Sequence, residues 1–88
     1  MKGVVATHFT EHAKQMLQRR TIEWAWVEDT LRMPTSERAD EKDPSLTLAF
    51  RRIPEAGEKW LRVIYRIENK HTHVVVTAFL DRNQESRA

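Results

Sequence analysis

The apolar residues of this chain change period near its middle, and that change limits the folds open to it. As far as Pro34 they recur three and four residues apart, the repeat of one helix face. From Leu46 onward they alternate, the repeat of one strand face. In 88 residues this leaves room for one domain, residues 1–88, in which helices precede strands. Short loops join the strands, so successive strands are expected to pair antiparallel. The expected fold is α+β, with two N-terminal helices packed on one face of a three- to four-stranded antiparallel sheet. A polar tail, frayed over about 83–88, would follow.

Individual elements can be placed from their end signals. Val4–Thr7 is β-branched and reads as a short strand or an extended lead-in. Thr10 is a helix N-cap, and Ala13, Met16 and Leu17 form one stripe of a first helix from Glu11 to about Arg20. No glycine or proline marks the break near Arg19–Thr21. Thr21 or Glu23 caps a second helix that runs to about Arg32 and is stopped by Pro34. Trp24, Val27 and Leu31 share a face and read as core, while Ile22, Trp26 and Met33 lie roughly opposite. Thr35–Ser45 is a polar loop with a short edge strand around Ser36–Ala39.

In the strand half, Leu46, Leu48 and Phe50 alternate with Thr47, Ala49 and Arg51. Pro54–Glu58 closes a hairpin. In Lys59–Glu68, Leu61, Val63, Tyr65 and Ile67 are expected to meet the helices, leaving Trp60, Arg62, Ile64 and Arg66 on the open face. His73–Leu80 is the last strand. It can bury either Val74 with Val76 or Val75 with Thr77, since both sets are apolar.

Composition excludes several functions. With no cysteine, disulfides and thiolate metal sites are ruled out. No apolar run approaches the roughly 18 residues of a spanning helix, so a cytoplasmic location without a membrane partner is expected. Glycine-rich phosphate loops, metalloprotease helices and nucleophile elbows are missing. The net charge is only +2, yet Arg51, Arg52, Arg62 and Arg66 fall in strand segments. Such arginines either make a face that attracts RNA phosphate or serve as a solvated surface.

The histidines form two pairs, His8 with His12 and His71 with His73. Thr10 places His8 outside the helix, so a metal site would require both pairs to converge. No metal or cofactor is expected. His12 lies in the first turn of its helix, where the dipole opposes a positive ring, and a neutral imidazole can serve as a general base. The alternative is a helix-end histidine bonded to backbone. Trp26 with Ile22 and Met33 makes either a partner or dimer patch or a second buried side of the helix. Base stacking by Trp26 or Trp60 is a further option.

Taken in order, His12-Ala13, Met16-Leu17, Arg20, Ile22, Val27, Leu31, Pro34, "LRVIYR" (Leu61–Arg66) and "HVVVTAFLD" (His73–Asp81) resemble the domain-of-unknown-function 4258 family over most of the chain. Each motif is short; their order and spacing carry the likeness. The family looks like a relative of the RelE/ParE and BrnT toxins, within the broad barnase, colicin and RelE group. The resemblance implies a RelE-like fold, RNA as substrate and an antitoxin protein as partner of a monomer or homodimer. By position it gives His12, Arg20, Arg66 and Thr77 as site residues.

In a metal-independent ribonuclease His12 would be base or acid, with Arg20 and Arg66 stabilising the phosphate. Arg62 and Arg51 would contact the RNA backbone, and Thr77 would orient it. The competing class is a non-enzymatic protein-binding module in which His12 and Arg20 are structural. A third is a toxin that inhibits by binding protein through Trp26, as ParE-like relatives do. The chain departs from the family in two places. Thr21 stands where glycine is common, which requires either a turn without positive φ or strain at Thr21. Trp24 and Trp26 stand where relatives are usually polar.

Overall fold

The computed structural model describes residues 6–82. Along the chain lie β1 (Ala6–Phe9), α1 (Glu11–Arg19), α2 (Trp24–Arg32), β2 (Ser36–Ala39), β3 (Leu46–Ile53), a 3-10 turn (Pro54–Ala56), β4 (Lys59–Asn69) and β5 (Thr72–Asp81). The α+β class and the two helices match expectation. The sheet differs, because it has five strands in the order β1-β5-β4-β3-β2 and is mixed. The pairs β2–β3, β3–β4 and β4–β5 are antiparallel. β1 adds a parallel partner for β5, with His8 opposite Val74 and Phe9 opposite Val75. That pairing joins the two ends of the described chain, so no loop length foretells it. Val4 and Val5, part of the expected lead-in strand, and the expected frayed tail at 83–88 lie outside the described residues.

α1 is fixed to β5 at its first residue. The Thr10 hydroxyl accepts from the Ala13 amide at 3.0 Å and so caps the helix. The same hydroxyl donates to the Val76 carbonyl at 3.3 Å, and the Thr10 amide donates to Val75 O at 3.1 Å. β1 stops pairing at Val75, and from there α1 packs along β5 and buries Ala13, Met16 and Leu17.

β5 is irregular at this point. Ile64 stands opposite Thr77 but Tyr65 opposite Val75, so Val76 is an extra residue, a β-bulge. The buried residues of β5 are consequently Val75 and Ala78, three apart. Neither simple alternation of the last strand runs its whole length.

The turn after α1 has Thr21 at φ 56°. Ile22 N donates to Leu17 O at 2.8 Å and Thr21 N to Gln18 O at 3.3 Å. This is the Schellman pattern, closed by the buried pair Ile22 and Leu17. It favours glycine at position 21, so the β-branched threonine carries the strain.

In α2 the buried residues are Val27, Thr30 and Leu31, and Trp26 packs partly buried against the core. Trp24, expected as core, is therefore at the surface, and Trp26 takes the buried one of its two readings. Trp24 is 53% exposed and stacks on Phe9, ring centroids 4.7 Å apart. It is the first residue of α2, beside β1 rather than over the buried core. Trp26 is held against the core rather than offered as a patch, although Met33 is exposed as expected. The helix-facing core joins Ala13, Leu17, Ile22, Val27 and Leu31 to Ala49, Ile53, Leu61, Val63, Tyr65, Val75 and Ala78. Ile67, expected in this layer, is 54% exposed.

Two stability changes follow from these ends. Thr21→Gly is expected to raise unfolding free energy by about 1 kcal/mol, because glycine adopts positive φ freely. Thr10→Val, which removes both bonds of the hydroxyl, is expected to lower it by about 1–2 kcal/mol. Urea melts of the two variants against the parent check both signs; a stabilised Thr10→Val or a destabilised Thr21→Gly contradicts the geometry.

Candidate nucleic-acid interface

Register assigns every strand residue to a face. Phe50, Arg62 and Phe79 are opposite one another on the open face, and so are Arg52, Trp60 and Asp81 in the next row. Leu48 and Ile64 with Thr77 form a third row, and Leu46, Arg66, Val74 and His8 a fourth. This face is not simply basic. Arg52 meets Glu58 at 3.2 Å, Arg66 meets Glu68 at 3.3 Å and Arg62 meets Asp81 at 3.4 Å. Phe50 is 1% exposed although no helix covers it. The guanidinium groups of Arg38 and Arg62 lie over its ring, at 5.7 and 5.5 Å.

Arg51, expected beside Arg62 on an RNA-binding face, is on the other side of the sheet. It stands opposite Leu61, and its Nη1 donates to the Met33 carbonyl at 2.7 Å, capping the end of α2. Odd and even strand positions face opposite ways, so neighbouring Arg51 and Arg52 could not share a surface.

The four residues matched by position separate into two groups. Arg66 and Thr77 are on the open face. His12 is exposed in the first turn of α1, and Arg20 is the C-cap of that helix. Eight residues at about 1.5 Å per residue put His12 and Arg20 about 12 Å apart along the axis.

The arginine side chain extends away over the edge of β5, beyond the end of β1. There its Nη1 donates to the Ala78 carbonyl at 2.9 Å. The guanidinium carbon then lies 5.5 Å from the Phe79 ring centroid, and that of Arg62 lies 4.7 Å from the same centroid. The two are therefore no more than about 10 Å apart. Beside them is a concavity of about 500 Å³ lined by Arg20, Lys59, Phe79 and Leu80. Lys59 and Arg20 make no ion pair with an acid among the described residues.

Two cations that meet no acid among the described residues, Arg20 and Lys59, thus come together beside Phe79, where Arg62 is already paired with Asp81. Lys59 and Phe79 were not singled out in the sequence. Phe79 pairs with Arg62 only once the bulge at Val76 is counted, and an unbroken alternation from Val74 hides which residues of β5 join the arginines.

On the helix face, Tyr65 Oη donates to Glu37 Oε2 at 2.9 Å, tying edge strand β2 to β4 across β3. The His73 ring lies 4.8 Å from the Tyr65 ring. Burial raises the phenol above its ordinary range, and the hydrogen bond to Glu37 and its negative charge push it further.

Among the described residues no group of three or more histidines and acids can hold a metal. Among the same residues no helix is long and apolar enough to cross a membrane.

A mixed five-stranded sheet, two helices on one face and a cation–aromatic corner at its edge define a small α+β domain. Residues 9–80 match the family described as a domain of unknown function, DUF4258, and the chain belongs to that family. No curated protein and no solved structure matches the chain.

The raised phenol has a checkable consequence. A group whose acidity is weakened by folding contributes stability that is present below its unfolded value, about 10 for tyrosine, and is lost as pH rises beyond it. Urea midpoints measured from about pH 8 to about pH 11 are expected to fall at the alkaline end. Tyr65→Phe should be less stable at about pH 8 and show a flatter decline; an equally steep fall in the variant would assign the loss to other groups.

Proposed function

We propose that this domain is an RNA-directed, toxin-like module that grips the RNA backbone at the Arg20–Arg62 corner. One observation carries the proposal: two guanidinium groups flank a single ring, Phe79, with Lys59 lining the concavity beside them. Guanidinium groups present paired donors that suit phosphate oxygens, and both lie on one short stretch of surface where an RNA backbone can meet them. Of the kinship inferred from the motifs, the ribonuclease side (RelE-like rather than ParE-like) points to the same class of ligand.

The geometry supports binding more directly than cleavage. His12 stands about 12 Å along α1 from Arg20, so the pair does not address one phosphate as base and stabiliser. Arg66 and Thr77 serve a strand running across the open face rather than a reacting centre shared with His12.

A non-enzymatic, structural role for Arg20 is favoured by its bond to Ala78 O, which satisfies a carbonyl on the outer edge of β5. Lys59 separates the two roles, because it is exposed and caps nothing. Lys59→Ala is expected to weaken single-stranded RNA binding about threefold at low salt and leave the melting temperature unchanged. It should also flatten the slope of log affinity against log salt by about 0.7. Arg20→Ala should weaken binding and lower stability together. RNA titrations identical for wild type, Lys59→Ala and Lys59→Glu would overturn the RNA proposal and leave Arg20 a structural cap.

A further inference from the structure

The row next to the cation corner contains Trp60 and Asp81, opposite one another on β4 and β5. Cross-strand partners have Cβ atoms about 4.5–5.5 Å apart, so a ring on one and a carboxylate on the other share one small area of surface. Trp60 is half-buried. The rings of Phe50 and Phe79 are taken by arginines, whereas Trp60 makes no ring or cation contact among the described residues. Its indole is the aromatic surface left for stacking on this face. Asp81 Oδ2 lies 3.4 Å from Arg62 Nη2, so the carboxylate opposite Trp60 also reaches the guanidinium of the next row. Arg62 follows Trp60 by two strand positions, about 6.7 Å.

Resting on the RNA-binding role proposed above, we infer that Trp60 and Asp81 form a base subsite selective for guanine, beside the phosphate held by Arg20 and Arg62. A base stacked on the indole turns its hydrogen-bonding edge toward Asp81. A carboxylate only accepts, and its two oxygens offer acceptor sites in more than one direction. Guanine is the one RNA base with two adjacent donors, N1–H and the N2 amino group, on that edge. In adenine and cytosine the amino group adjoins an acceptor nitrogen, and in uracil the single N–H lies between two carbonyls. Each of these would set an acceptor against Asp81, with the cost of an unpaired, repelled lone pair. The subsite needs no metal and no bond changes; it selects among sequences.

The test measures binding of a short uridine oligonucleotide carrying one central guanosine, inosine, adenosine or cytidine, by fluorescence anisotropy at fixed salt. Guanosine should bind about tenfold more tightly than adenosine or cytidine. Inosine, which lacks the N2 amino group, should fall between. Asp81→Asn should erase the guanosine preference while binding the plain uridine strand more tightly, since a negative charge beside Arg62 is gone. Trp60→Phe, which keeps a ring for the fold, should weaken all the oligonucleotides yet preserve their order. Equal affinity for all four in the wild type, or an intact preference in Asp81→Asn, overturns the guanine subsite and leaves RNA binding standing. Failure of every oligonucleotide to bind overturns the RNA-binding role and the subsite with it.

Discussion

The outer edge of β5 is shared between a strand and a helix, and the rest of the domain is arranged around that division. β1 satisfies the edge as far as Val75. Beyond it the Thr10 amide and hydroxyl take Val75 O and Val76 O, and the Arg20 guanidinium takes Ala78 O. An exposed strand edge invites pairing with another chain, and here side chains close it. The bulge at Val76 belongs to the same arrangement. It turns β5 just where the neighbour changes from strand to helix, and it lets Val75 and Ala78 both face the core.

The open face is closed by a different means. No described helix or strand packs on it, yet Phe50 is buried as deeply as the residues under the helices. Arg38 and Arg62 lie over its ring, and stacking on aromatic surface suits guanidinium better than ammonium because it is planar and weakly hydrated. The layer thus serves packing as well as charge. Carboxylates meet Arg52, Arg62 and Arg66, so little net field is left over most of the sheet. What remains is concentrated where Arg20 arrives from the helix side and Lys59 begins β4.

Elements with purely local signals were legible in the sequence. The cap at Thr10, the stripe of Ala13, Met16 and Leu17, the stop at Pro34 and even the short strand Ser36–Ala39 depend on neighbours a few residues away. The strain at Thr21 was legible as an alternative, and φ 56° settles it. What could not be read depends on residues distant in sequence. The parallel β1–β5 pair joins opposite ends of the described chain, and the bulge lies where α1 meets β5. The roles of Trp24 and Trp26 follow from how α2 is rotated on the sheet, which a helical repeat does not specify. Arg51 was misplaced for a simpler reason: with arginines at two adjacent strand positions, only one can join the open face. Of the expected site, Arg20 and Arg62 do come together, but through Phe79, whose face depends on the bulge.

Arg20 serves both as an edge cap and as the cation of the corner, and the two uses reinforce each other. A free arginine loses up to about 2 kcal/mol of side-chain entropy when it is fixed on a ligand. Arg20 meets that cost in folding, because one of its five donors is bound to Ala78 O and its plane rests near Phe79. The donors that remain are held at a set distance from Arg62, which is itself placed by Phe50, Phe79 and Asp81. The bond that closes the sheet edge thus also pre-orders the corner, and a change at Arg20 must act on fold and binding together. Lys59, which closes no edge, is where the two can be separated.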